Sequence, residues 1–222
     1  MFSGVFLCSS SDRKAFQKKL LSVIISAGII FGVMMLNENQ RNILLKVAHD
    51  TVEAVISGRT VKVIDTDDTA LNSHCGCFVT LKNNGDLRGC IGQFTANKPL
   101  IKLIADMAKA SCSQDSRFFS DTINTDELEQ LDIEISVLSP LKKTDDPLSL
   151  RLGIDGIYIK KGFASGCFLP QVATETGWSK EEFLSYCCSH KAGLHRDAWK
   201  DKRTEVYFFT AEIFGADFKE IS

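Results

Sequence analysis

Residues 76–94 read GCFVTLKNNGDLRGCIGQF. Two β-rich runs, Gly76 to Lys82 and Leu87 to Phe94, flank Asn84-Gly85, and an Asn-Gly pair between such runs is the strongest short-range signal of a hairpin. A two-residue turn sets Leu81 opposite Arg88, Val79 opposite Cys90 and Cys77 opposite Gly92. Because side chains alternate, that register places Arg88, Cys90, Cys77 and Cys75 on one face and Leu87 and Ile91 on the other. Gly89 and Gly92 weaken the strand but let a backbone or a ligand approach closely.

Outward from the hairpin, helices and strands mix without a βαβ rhythm. Leu44, Val47, Ala48, Val52 and Val55 recur at helical spacing between Asn39 and Ser57, and Gly58 follows as a stop. Asp65 to Asn72 reads as a polar connection. Pro99 opens a second helix through Leu100, Ile101, Leu103, Ile104, Met107 and Ala108. Asp115 to Thr122 reads as a loop, Thr125 as the cap of a short helix from Asp126 to Leu131, and Asp132 to Leu138 as the clearest strand. Gly156 to Lys161 and Gly166 to Leu169 suggest another hairpin. Pro170 starts a short helix, Ser179 with Glu182 suggests a capping box for a helix from Glu181 to Lys191, and Thr204 to Phe214 closes the chain as one strand. The pattern predicts an α+β fold of antiparallel or mixed sheets with helices on one face.

The 222-residue chain is 44% hydrophobic and 24% charged, enough for a packed core. Its net charge of −2, from 26 basic and 28 acidic residues, argues against nucleic acid as a partner. A local excess runs from His190 to Arg203, where Lys191, Arg196, Lys200, Lys202 and Arg203 face Asp197 and Asp201. Eight cysteines without the density of a secreted scaffold fit a reducing compartment and a cytoplasmic location. Residues 1–37 read as a separate extension before a domain spanning 38–222. Leu20 to Leu36 is an uncharged run behind Arg13, Lys14, Lys18 and Lys19, so any membrane contact is expected through residues 20–36 alone. An anchor, an uncleaved signal, a helix packed on the body and a true start at Met34 or Met35 are the alternatives for it.

A guanidinium near a thiol favours the thiolate, so Arg88 two positions from Cys90 suggests a nucleophile or soft ligand. The competing reading is plain core packing for Cys90, with Arg88 paired to a carboxylate such as Glu134. His74, Cys75, Cys77 and Cys90 are the candidate zinc or iron ligands, but C-x-C on one strand lacks the knuckle spacing, so no metal is assigned. The chain has no P-loop or Rossmann glycine loop, H-E-x-x-H or G-x-S-x-G, and no cofactor is assigned. Asp67-Asp68 and Asp145-Asp146 read as solvated loop acids, and Trp178, Trp199, Phe118 and Phe119 as core or loop anchors.

Four segments resemble the AMMECR family, system protein A of the AmmeMemoRadiSam set: LRGCIGQF (Leu87 to Phe94), SRFF with LDIEISVLSP (Ser116 to Phe119, Leu131 to Pro140), FLPQVATETGW (Phe168 to Trp178) and KAGLHRDAW (Lys191 to Trp199). The resemblance spans residues 38 to 215. It implies two-layer α/β sandwiches in two associated subdomains, with the hairpin bordering a cleft lined by Arg88, Gly89, Cys90 and Gly92. Arg117, Glu134, Gln171 and Lys191 are the implied neighbours. Ser116 and His195 stand where the family usually has proline. The family name also implies association with Memo-family and radical-SAM proteins. Two functions follow: a module binding a small anionic ligand, nucleotide or partner peptide in the cleft, or a cysteine-dependent enzyme with Cys90 as nucleophile, Arg88 as activator and Glu134 or His195 as proton carrier.

Overall fold

A computed structural model describes residues 36–61 and 65–221. The first helix, α1 (Glu38–Ile56), starts at a reciprocal capping box between Asn37 and Gln40 and ends ahead of Gly58, whose φ is 66°. Strands β1 (Cys77–Asn83) and β2 (Asp86–Gln93) form the expected hairpin, and Asn84 and Gly85 both take positive φ, at 50° and 91°. That pair of left-handed residues suits the twist of antiparallel strands. Helix α2 (Leu100–Ser113) follows Pro99, and β3 (Leu131–Leu138) pairs with β1. A six-residue 3-10 helix, Thr125–Gln130, leads into β3; its cap is Asn124 rather than Thr125, because the box closes with Glu127.

The chain then builds a second layer from β4 (Lys142–Thr144), β5 (Gly156–Lys161), β6 (Ala164–Phe168), α3 (Pro170–Thr176), α4 (Lys180–Tyr186) and β7 (Glu205–Phe209). It returns to the first sheet with β8 (Ala211–Asp217). The sheet orders are β2-β1-β3-β8 and β4-β7-β5-β6, with every pairing antiparallel. This is the α+β architecture expected from the sequence. The expected final strand is corrected: Thr204 to Phe214 is two strands in two sheets, broken at Thr210. There Ser139 holds both crossings together, donating its N–H to the Thr210 carbonyl (2.9 Å) and accepting the Thr210 N–H on its hydroxyl (2.9 Å).

Each sheet buries one face under helices. Val79, Leu81, Ile133 and Ile135 pack against Leu44, Val52 and Ile104 of α1 and α2 in the first layer. Ile157, Ile159, Phe168 and Val206 pack against Phe183, Leu184 and Cys187 in the second. Phe94 links the layers, with its ring 5.3 Å from Phe78, 5.0 Å from Tyr158 and 5.4 Å from Phe209. The expected helix Glu181 to Lys191 is also corrected. It is α-helical only to Tyr186 and continues as a π-helical turn, Cys187–Lys191, closed by the Ala192 N–H on the Cys187 carbonyl (3.0 Å).

No helix among the described residues is long and apolar enough to cross a membrane. The apolar run at 20–35 and the readings attached to it lie outside the described residues. Leu36, its last residue, is buried in the first core and donates its N–H to Glu212.

Candidate functional site

The hairpin carries an irregularity that alternation does not anticipate. Near the turn Lys82 pairs with Leu87, but beyond it Leu81 pairs with Gly89, so Arg88 is an extra residue, a β-bulge. All pairing past the bulge slips by one: Cys90 lies opposite Thr80, Ile91 opposite Val79 and Gln93 opposite Cys77. The expected register is therefore corrected from Leu81 onward. Cys77 points into the first core, fully buried, with its thiol pKa raised by that burial, whereas Cys90 is half-buried on the opposite face. The shared face of Cys77, Cys90 and Arg88 does not exist. Among the described residues no three His, Cys, Asp or Glu side chains stand close enough to hold one metal ion.

Arg88 turns toward the helix-covered side. Its Nε and Nη2 donate to Glu127 (3.0 and 3.2 Å) and its Nη1 to Asp121 (2.7 Å), so its partners are not Glu134 or Cys90. Asp121 and then Glu127 hold its pKa above the ordinary value against the opposing effect of burial. The guanidinium also borders a shallow surface recess with Ser111, Cys112, Phe118, Phe119 and Ile123.

Gly89 and Gly92 serve packing. A Cβ on Gly89 would overlap the Ser111 carbonyl oxygen of α2, and one on Gly92 would overlap the Phe78 ring that reaches the Phe94 seam. Close approach lets the Ser111 hydroxyl insert between the strands, accepting the Ile91 N–H (3.0 Å) and donating to the Val79 carbonyl (2.7 Å). At the free edge of β2, Asp115 accepts the Cys90 N–H (2.9 Å) while Arg117 donates to the Cys90 carbonyl (3.3 Å). The Arg117 side chain also donates to Asp115 through Nε (2.9 Å) and Nη2. Asp115 is held down to about 2, first by Arg117 and then, against burial, by the Cys90 N–H. The pair occupies the edge hydrogen bonds that another strand would otherwise take.

Cys90 belongs to a polar row on the face that no helix covers. It pairs with Thr80, which pairs with Glu134, and the Thr80 hydroxyl donates to Cys90 Sγ at 3.2 Å. Glu134 accepts from Lys82 at 3.2 Å. The second sheet has its own uncovered row, in which Cys167 pairs with Tyr158, Tyr158 with Tyr207, and Tyr207 with Lys143. Through Phe94 on Tyr158 this row adjoins the first sheet, and Cys90 and Cys167 stand within electrostatic reach of one another. Burial pushes the Cys167 thiol up to about 11, opposed by Lys191 and reinforced by Cys90.

Lys191 is exposed at the outer edge of β6, its Nζ 5.8 Å from the Phe168 ring centre, because Gly166 lets the backbone of Lys191 and Ala192 press on the strand. Gln171, in the first turn of α3, has a buried Oε1 without a hydrogen-bond partner among the described residues. His195 is 83% exposed along its side chain and caps the turn Arg196–Lys200 by accepting the Asp197 N–H. The structure thus joins Cys90 with Arg117 through the backbone and with Glu134 through Thr80, and separates it from Arg88. Sequence reasoning missed Thr80, Asp115, Tyr158, Cys167 and Tyr207. The hairpin at Gly156 to Leu169 carried a signal for Tyr158 and Cys167, but pairing between sheets carried none.

A pair of helix-backed antiparallel sheets, joined at an aromatic seam with a half-buried thiol beside it, defines the class. The AMMECR1 family profile matches residues 45–214, and the chain belongs to that family. It is 38% identical over 189 residues to a protein of Methanothermobacter thermautotrophicus, covering 82% of this chain and 97% of that one. It is 38% identical to a protein of Nanoarchaeum equitans, covering 78% and 99%. A crystal structure of a Pyrococcus horikoshii protein superposes with a TM-score of 0.71 at 36% identity, covering 79% of this chain and 91% of that one.

Proposed function

We propose that the seam between the two sheets binds a small anionic ligand or the end of a partner peptide, and that the protein acts with Memo-family and radical-SAM proteins. The observation that carries the binding half is the half-buried row Cys90, Thr80, Glu134 and Lys82, left uncovered on a sheet whose other face is packed. Tyr158, Tyr207 and Cys167 supply an opposing row with aromatic area and hydroxyls. Arg88 and Arg117 are committed to carboxylates, so Lys191, with no carboxylate in ion-pair range among the described residues, is the cation for an anionic group. The partner half is supported by the family resemblance alone. The unpaired thiols of Cys75, Cys77, Cys90, Cys112, Cys167, Cys187 and Cys188 support a reducing compartment such as the cytoplasm.

Native mass spectrometry of the full chain isolated from its own cells tests the binding half. A bound small anion or peptide is expected, lost in Lys191→Ala and Glu134→Gln and retained in Arg88→Lys. Bare chain in every preparation, with inorganic phosphate added or not, sinks it. Copurification of a Memo-family or radical-SAM protein with the tagged full chain is expected from the partner half, and consistent absence of both removes it.

The Thr80 hydroxyl, which donates to Cys90 Sγ and so orients the half-buried sulfur, supports a second reading, a cysteine-dependent enzyme. Alkylation of Cys90 faster than a free thiol at pH 7, slowed in Thr80→Val, is its expected signature; a rate equal to a free thiol's in both proteins rejects it.

A further inference from the structure

On the outer side of the second layer, four rings stand in succession. Phe168 lies 5.7 Å from Trp178, Trp178 lies 4.4 Å from Tyr186, and Tyr186 stacks on His190 at 5.2 Å and 25°. The Arg196 guanidinium lies over Tyr186 at 4.8 Å, and Lys191 flanks Phe168. The inner end of this ladder is core, but His190, Lys191 and Arg196 are exposed.

The charge around the ladder is not balanced locally. Asp197 is bound by Lys200 (2.6 Å), and Asp201 is shared by Lys161 and Arg203 (2.8 Å each). Among the described residues no carboxylate lies in ion-pair range of Lys191, Arg196 or Lys202. Glu182 and Asp197 reach Arg196 only at longer range; Glu182 is occupied by the Ser179 cap and Asp197 by Lys200. Rings set beside uncompensated cations suit a ligand that is both planar and anionic: a ring gains by stacking, and a phosphate gains from Lys and Arg. An acidic peptide would use the cations and leave the exposed imidazole unused.

We propose that Trp178, Tyr186, His190 and Arg196 form a binding site for a nucleotide unit, its base stacked on the ladder and its phosphate held by Arg196. The site is separate from the seam, because Phe168 and Cys167 are successive residues of β6 and face opposite sides of the sheet. A chain of net charge −2 hosts it because only the local field matters at contact distance.

The shared chemistry has two sources, a free nucleotide and a single strand of RNA, and one titration separates them. The full chain is titrated with AMP while tryptophan fluorescence is read, and with a short fluorescein-labelled oligouridylate while anisotropy is read. Saturable, salt-sensitive binding of at least one probe is expected, with quenching of Trp178 and a loss of about tenfold or more in Arg196→Ala and in His190→Ala. Both variants change exposed side chains, and far-UV circular dichroism verifies their fold. Binding of AMP alone assigns the site to free nucleotides, and binding of the oligomer alone assigns it to RNA. Response to neither probe overturns the proposal, as does equal binding of tripolyphosphate or polyglutamate, or wild-type affinity in Arg196→Ala and His190→Ala.

Discussion

Asp115 shows how one carboxylate can hold a strand edge. It is 4% exposed along its side chain and accepts from the Cys90 N–H, the Arg117 N–H and the Arg117 guanidinium. Its folded pKa, about 2, lies below the ordinary 3.8, so its stabilisation is complete above 3.8 and is lost as the pH falls through about 2. Asp115→Asn removes a contribution of about 2 kcal/mol with that pH profile. In denaturant melts, the gap between wild type and Asp115→Asn is expected to narrow by that amount between pH 4 and pH 2; a gap independent of pH contradicts the assignment. Gly89 acts by what it lacks. Gly89→Ala drives a methyl group into the Ser111 carbonyl and is expected to cost about 3 kcal/mol, at the upper end for overpacking, read from the urea midpoint. Gly85→Ala, with open space around its Cβ, serves as the backbone-strain control.

At the scale of elements, short hydrogen-bonded features were the easiest to read and long-range packing changed them most. The turn at Asn84-Gly85 was legible because left-handed φ at two successive positions has few suitable residues. The bulge at Arg88 was not, because it arises where α2 presses Ser111 onto Gly89 from distant sequence. The same holds for the end of α4. Its sequence continues to suit a helix through Lys191, but β6 meets the turn at Gly166 and the last residues widen into π geometry. Gly166→Ala is expected to push this turn off the strand, destabilising the protein by about 2 kcal/mol and raising amide exchange at Ala192 and Leu194. Unchanged protection of those two amides would show that the contact is slack.

At the scale of the molecule, two cores are joined by an aromatic seam and two adjacent crossings. Each core has its own sheet and helices, so cooperativity between them depends on few contacts. Phe94 makes three of the ring contacts. Phe94→Ala is expected to lower stability by about 3 kcal/mol and to split one unfolding transition into two, seen as non-coincident near- and far-UV circular dichroism melts. A single coincident transition at lower denaturant would place the coupling in the crossings at Ser139 and Thr210 instead.

Local information in the sequence determined the first two helices, the turns of the two hairpins, the α+β class and the family, because caps, turn residues and apolar spacing act within a few residues of themselves. It also located Cys90, Glu134 and Lys191. Which of them share a surface was decided only by tertiary structure. A single extra residue at Arg88 reverses the face of its neighbours, and the wall opposite Cys90 comes from strands whose pairing no local pattern encodes. The face a side chain takes depends on register, and register here is set by a helix packed across the strand.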